Sequence, residues 1–132
     1  MNNKLLKLNE EFISSLKNIE KEWDNAVIYL QFPPFTTMGY KMLPNFWNGK
    51  QEINILPKKG EKFSDIFYSF WYETKDKYNE IVFKTKKDDY ENATIEARFN
   101  QEVEDNFQNN LPKSKRGKTI PWWKNEKYKR SD

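Results

Sequence analysis

The sequence predicts an α+β fold, an antiparallel sheet of four to five strands with two main helices packed on one face. Three observations lead to this class: two segments have helical apolar spacing, several short segments have strand composition, and their order along the chain is α-β-β-β-α-β-β. The chain has 132 residues, which suits a single hydrophobic core. We expect residues 1–111 to form one α+β domain and residues 112–132 to form a basic C-terminal tail that contains tryptophan.

Two segments have apolar residues spaced three and four apart, as in an amphipathic helix. The first is predicted over residues 3–22, with a stripe that runs from Leu5 to Trp23. The second is predicted over residues 62–77, and most of its apolar residues are aromatic. We expect both stripes to face the core, although a stripe of this kind can also bind a partner. Residues 100–110 have a weaker pattern that predicts a short helix or an ordered loop.

Five further segments have the composition of strands. Ala26–Leu30 is β-branched and aromatic, and Ile81–Lys84 and Ala93–Phe99 alternate, with a turn at Lys86–Asp89 between them. The other two segments, Tyr40–Trp47 and Lys50–Leu56, flank Asn48-Gly49, a dipeptide that favours a type I′ hairpin turn. Proline cannot donate to a ladder, so Pro44 predicts that its strand is bulged or lies at an edge.

The composition limits the chemistry that the chain can perform. Hydrophobic residues make up 36% and mean hydropathy is −1.05, but aromatic residues reach 17%, so a few large rings can supply a core. The chain contains neither Cys nor His, which excludes disulfides, thiolate or imidazole metal ligands and the common Ser-His and Cys-His nucleophile pairs. The first eleven residues lack the apolar run of a signal peptide, so we expect a cytoplasmic protein without a membrane partner.

Carboxylates are the remaining candidates for catalysis or metal binding. They cluster without the spacing of an oxygen cage, and the four glycines stand too far apart for a phosphate-binding loop. The triplet Glu96-Ala97-Arg98 resembles the acid-x-base end of nuclease metal sites, but one such triplet in a charged sequence is expected by chance. We therefore predict no enzyme, no catalytic or metal-binding residues and no cofactor. The candidate partner-binding residues are two acidic groups and a tryptophan pair: Asp88, Asp89, Glu91, Glu102, Glu104, Asp105, Trp122 and Trp123.

Charge is distributed unevenly along the chain. Residues 1–111 contain 15 Lys and Arg against 18 Asp and Glu, a net charge of −3, whereas residues 112–132 contain 8 against 2, a net charge of +6. The acidic groups could meet a basic protein such as a nuclease, or they could be ordinary solubilising charge. Trp122-Trp123 could fold back on the domain, contact a partner or, with the surrounding lysines, stack on single-stranded RNA.

A family resemblance narrows the choice of partner. A helix that ends in Glu22-Trp23, the strand Ala26–Phe32, a hairpin, a helix carrying Phe67, Phe70 and Trp71, and two further strands together resemble the small YezG-like immunity proteins. More loosely, the chain resembles the immunity proteins of contact-dependent inhibition and other polymorphic toxin systems of bacteria. The likeness covers roughly residues 10–100. The basic tail departs from it, since immunity proteins against nucleases are usually acidic where they bind.

The resemblance implies a cytoplasmic immunity protein that binds the C-terminal domain of a cognate toxin, often a nuclease, and blocks its active site. The alternative is a nucleic-acid-binding accessory protein that uses the basic tail, and direct nucleic-acid binding ranks second. An enzyme built on carboxylates ranks last. The oligomeric state stays open, as does the surface that meets the toxin.

Overall fold

A computed structural model gives the fold, and the structure describes residues 2–32, 40–74 and 77–109. The chain contains helix α1, a first group of three strands, helix α2, two more strands and helix α3. The α+β class predicted from the sequence is confirmed. The bounds are α1 Asn3–Leu16, β1 Asn25–Gln31, β2 Lys41–Asn48, β3 Gln51–Ile53, α2 Phe63–Thr74, β4 Glu80–Lys86, β5 Thr94–Arg98 and α3 Gln101–Asn109.

The five strands form one antiparallel sheet in the order β3-β2-β1-β4-β5. β1 lies at the centre because both of its neighbours pair with it along its whole length. The short strand β3 pairs only with the last three residues of β2, and β5 forms the opposite edge. This register decides which side chains share a face, because alternate residues of each strand point to opposite sides.

Helices α1 and α2 cover one face of the sheet. On β1 that face carries Ala26, Ile28 and Leu30, all buried, so the strand alternates between buried and half-buried residues. The ring of Phe12 on α1 stacks on Phe83 of β4 with centroids 4.7 Å apart. Phe12 also meets Phe63 of α2 edge to face at 5.2 Å. The core is therefore built mainly from aromatic rings, as the composition predicts.

Helix α1 begins at a cap and ends earlier than the sequence predicts. The Asn2 side chain accepts hydrogen bonds from the N–H groups of Lys4 and Leu5, and its amide reaches Glu73 at the end of α2. The predicted end at residue 22 was wrong, because the helix stops at Leu16. Trp23 is buried in the irregular segment that follows. The apolar spacing between Leu16 and Trp23 arises because these side chains contact the core, and not because the segment is helical.

The hairpin between β2 and β3 lies where the sequence predicts it, but with a different turn. Asn48 pairs with Gln51, so the two-residue loop is Gly49-Lys50 and not Asn48-Gly49. Gly49 has φ of 61°, and among the described residues no residue other than glycine has a positive φ. One positive φ at the first loop position fits a type II′ turn, whereas type I′ needs two.

Pro44 sits in a part of β2 that β3 does not reach. Pairing with β1 continues residue by residue, so the strand has no bulge there. In a two-residue hairpin the two residues next to the loop are hydrogen-bonded to each other. The backbone N–H and C=O groups of Asn48, and of every second residue before it, therefore point away from β1. The Pro44 nitrogen therefore points outward, where it removes no ladder bond. The predicted bulge was wrong, and β2 is an inner strand of the sheet, but β3 leaves the position of Pro44 open as it would be at an edge.

The chain passes between β4 and β5 through a longer connection than the predicted turn, with one turn of 3-10 helix at Tyr90–Asn92. After β5 it is held at Asn100, whose backbone N–H donates to the side-chain oxygen of Asn79 at 2.7 Å. The amide of Asn79 donates in return to the carbonyl oxygen of Asn100 at 2.9 Å. Helix α3 starts there, so the prediction of a short helix is confirmed.

Candidate functional site

The candidate site is the second face of the sheet, opposite α1 and α2. The register arranges its side chains in four rows that run across β2, β1, β4 and β5. Each row has one residue from each strand that reaches it, so residues far apart in sequence share one face of the sheet. We define the second face by these residues: Lys41, Leu43, Asn45, Trp47, Glu52, Asn25, Val27, Tyr29, Gln31, Glu80, Val82, Lys84, Lys86, Thr94, Glu96 and Arg98.

An apolar row crosses the middle of the second face. Tyr29 on the central strand lies between Leu43 on β2 and Val82 on β4. Tyr29 and Leu43 are half-buried, whereas Val82 is only 4% exposed and leaves little surface for a partner. Val27 extends this row toward the next one. β1 is thus apolar on both sides, which is typical of a strand whose two faces are both in contact with something.

A buried carboxylate closes one end of the second face. Glu80 is 1% exposed, and its Oε1 accepts a hydrogen bond from Arg98 Nε at 2.6 Å and one from Asn100 Nδ2 at 3.2 Å. Its Oε2 accepts a hydrogen bond from Gln31 Nε2 at 2.8 Å. The carboxylate is therefore paired and fully hydrogen-bonded, as a buried charge requires. These bonds hold β1, β4, β5 and the start of α3 together, which is a structural role.

Charged and aromatic groups meet at the other end of the sheet. Asp24 Oδ2 accepts the backbone N–H of Gly49 at 2.7 Å, and Asp24 Oδ1 accepts the Asn25 amide at 2.8 Å. These bonds, the first most of all, hold the pKa of Asp24 below its ordinary value of 3.8. Nearby, partial burial and then the charge of Asp88 raise the pKa of the Tyr90 hydroxyl above 10.0. Asp24 thus fastens the hairpin loop to the start of β1.

Both signs of charge are present around the apolar row. Lysines 41, 84 and 86 are exposed together with Arg98, and glutamates 52 and 96 are exposed with them. A shallow depression of about 400 Å³ opens beside the row, between Val27, Lys84, Lys86 and Asp89. A nucleic-acid site would carry mainly positive charge, whereas mixed charge around an apolar centre is typical of protein interfaces.

The predicted acidic residues divide between the two ends of β5. Asp88, Asp89 and Glu91 belong to the connection before β5, where Asp88 and Glu91 are exposed and Asp89 accepts both of its hydrogen bonds from Asn92. Glu102, Glu104 and Asp105 are on α3, after β5. A strand of five residues is about 17 Å long, so the structure does not bring the two groups together in one patch.

The three acidic residues on α3 differ in exposure. Glu102 is exposed, Asp105 is exposed and accepts a hydrogen bond from Gln101, and Glu104 is only 8% exposed. Burial leaves little of the Glu104 side chain for a partner to touch. Trp122 and Trp123, with the rest of the predicted tail, lie outside the described residues, so their role in binding stays a prediction.

Among residues 2–32, 40–74 and 77–109, no group of three acidic side chains is arranged to hold a metal ion. In the same ranges no helix has the length and apolar character to cross a membrane.

Comparisons with known proteins add no relative. No protein-family model matches the chain, and no curated protein matches it significantly. The case for a function therefore depends on the geometry of the second face and on the resemblance given above.

Sequence reasoning missed the residues at the centre of the second face. Tyr29, Leu43 and Val82 were assigned to strands without a functional role. A signal for them was present, because Ala26–Leu30 contains no polar residue at the positions that should face water. The register that places Leu43 and Val82 beside Tyr29 cannot be read from local sequence patterns.

Proposed function

We propose that this protein is an immunity protein that binds a cognate bacterial toxin domain and neutralises it by covering its active site. In this proposal the protein acts in the cytoplasm, forms a one-to-one complex and performs no catalysis. The observation that carries it is the second face of the sheet, an apolar row set in charges of both signs. The resemblance to YezG-like immunity proteins supports the choice of a toxin as the partner.

The chemistry of the second face suits a protein partner. An interface needs an apolar centre that loses its water on binding and a polar rim that fixes the orientation of the partner. Tyr29 and Leu43 supply such a centre at the middle of a rigid sheet. The lysines and glutamates around them can discriminate among related toxins, since a misplaced charge penalises the wrong partner.

A direct test uses the toxin domain encoded by the neighbouring gene. Co-expression of this chain should rescue growth of cells that make the toxin domain, and titration calorimetry with a catalytically inactive toxin domain should give a one-to-one complex. Leu43→Arg places a charge in the apolar row, so affinity should fall by roughly a hundredfold, since central residues dominate binding energy.

The matched control is Leu56→Arg, which makes the same change at a leucine that is 80% exposed and lies off the second face. This variant should bind and rescue as the unchanged protein does. Absence of a complex and of rescue would contradict the proposal. Salt-sensitive binding to RNA that disappears when residues 112–132 are removed would instead favour the nucleic-acid alternative.

A further inference from the structure

Strand β5 has an open edge among the described residues. The backbone N–H of Phe32 donates to the carbonyl of Asn79, and that of Lys87 donates to the carbonyl of Asp24. Asn79 and Lys87, just before and just after β4, are therefore hydrogen-bonded partners of the β1 side. Because bonded pairs alternate along an antiparallel ladder, the odd-numbered residues of β4 bond to β1 and the even-numbered residues bond to β5. On β5 the N–H and C=O groups of Ile95 and Ala97 therefore point away from the sheet.

A groove follows this edge. It has a volume of about 610 Å³ and runs between the first turns of α1 and the Ala93–Glu96 segment. Leu6, which is 43% exposed, lines it together with Asn9. Unpaired strand groups and an exposed leucine beside one groove indicate that another chain fits there.

The edge is also accessible, because the chain turns away after β5. Asn100 bonds to Asn79, which precedes β4, and to Glu80, which is the first residue of β4. Both partners lie on the inner side of β5. These bonds draw the start of α3 toward β4 and away from the outer edge.

The charges of β5 select a second copy of the same chain as the occupant. Two β5 strands can pair antiparallel around a two-fold axis with Ile95 opposite Ile95, with Ile95 opposite Ala97 or with Ala97 opposite Ala97. The second arrangement sets Glu96 against Glu96. The third sets Glu96 against Arg98 of the other copy twice, and opposite charges directly across a ladder stabilise it.

We propose that this protein forms a symmetric dimer in which β5 pairs with β5 of a second copy around Ala97, making one ten-stranded sheet. Arg98 keeps its bond to Glu80 in this arrangement, because a guanidinium has further N–H donors for Glu96 of the other copy.

Sedimentation equilibrium of the protein alone, at micromolar to millimolar concentrations, tests the proposal without any toxin. The mass should rise from that of the 16.1 kDa chain toward twice that value. Glu96→Arg places two arginines opposite each other and should raise the dimer dissociation constant at least about tenfold. Ala97→Pro removes an outward N–H that β4 does not use, so it should weaken the dimer while circular dichroism stays unchanged.

The matched control is Glu52→Arg, the same change on an exposed residue of the second face at the opposite edge of the sheet. It should dimerise like the unchanged protein. A monomer at every concentration would overturn the proposal, and so would an equal effect of Glu52→Arg and Glu96→Arg. A chain that is monomeric alone and pairs its β5 edge only with an extended toxin segment would overturn it as well.

Discussion

At the scale of single residues, Glu80 joins more of the molecule than any other charged group described above. Its carboxylate accepts hydrogen bonds from Gln31 at 2.8 Å, Arg98 at 2.6 Å and Asn100 at 3.2 Å, in a position that water hardly reaches. Such a group stabilises the fold only while all its partners are present, because breaking the pair leaves a buried charge alone.

We therefore expect Glu80→Ala to lower the free energy of unfolding by about 3 kcal/mol, since Arg98, Gln31 and Asn100 would lose their shared acceptor. Urea denaturation measures this loss. The exposed Glu52 provides the comparison, and Glu52→Ala should change stability by less than about 0.5 kcal/mol. Equal effects of the two substitutions would show that the hydrogen bonds of Glu80 add nothing to the free energy of unfolding.

Asp24 gives a prediction about pH. Its pKa is lowered in the folded protein by the N–H of Gly49 and the amide of Asn25, so the unfolded chain binds a proton more readily than the folded one. The resulting stabilisation is complete above the unfolded pKa, near 3.8, and is lost as the pH falls through the lower folded pKa. NMR titration should place the Asp24 carboxyl below 3.8, and Asp24→Asn should flatten stability in that acidic range. An Asp24 titration at or above 3.8 would contradict this account.

At the scale of elements, the β2–β3 hairpin depends on the conformation of Gly49. Its φ of 61° lies in the left-handed region, where a Cβ is unfavourable even though no neighbouring atom would touch one. Gly49→Ala should therefore cost about 1 kcal/mol in thermal or urea unfolding.

Gly60 is a suitable control for Gly49. A Cβ there would meet only the flexible end of Glu11, 2.9 Å away, and this side chain can move. Gly60→Ala should be neutral or stabilising by up to about 1 kcal/mol, because alanine restricts the unfolded chain. If both substitutions destabilise the protein equally, the left-handed conformation of Gly49 is not what matters.

The elements also explain how far sequence reasoning reached. Local composition located the strands and the second helix, because Ala26–Leu30 is a short β-branched and aromatic run and Phe63–Phe70 has apolar residues spaced three and four apart. The end of α1 was misplaced because Trp23 continues the apolar spacing from an irregular segment. The turn was displaced by one residue because Asn48-Gly49 and Gly49-Lys50 both permit a tight hairpin, and the pairing of Asn48 with Gln51 decides between them.

At the scale of the whole molecule, the pairing of distant strands determines the candidate site. The apolar row needs Leu43, Tyr29 and Val82 from three strands, and the acidic residues 88–91 and 102–105 are separated because β5 lies between them. Register depends on the packing of the complete core, so short patterns along the chain do not determine it. Individual elements could therefore be predicted, but the surface they form together could not.

Pro44 has a consequence for the size of any assembly. Its nitrogen faces outward from β2, so a further strand cannot bond there, and β3 covers only three residues beside it. This edge of the sheet resists the addition of chains, whereas β5 accepts one. Pairing through β5 uses the same edge on both copies and leaves at each end of the sheet the three-residue strand β3 with Pro44 beside it. A short edge strand and a proline both disfavour the addition of a further strand, so a dimer built through β5 is the expected limit of this pairing.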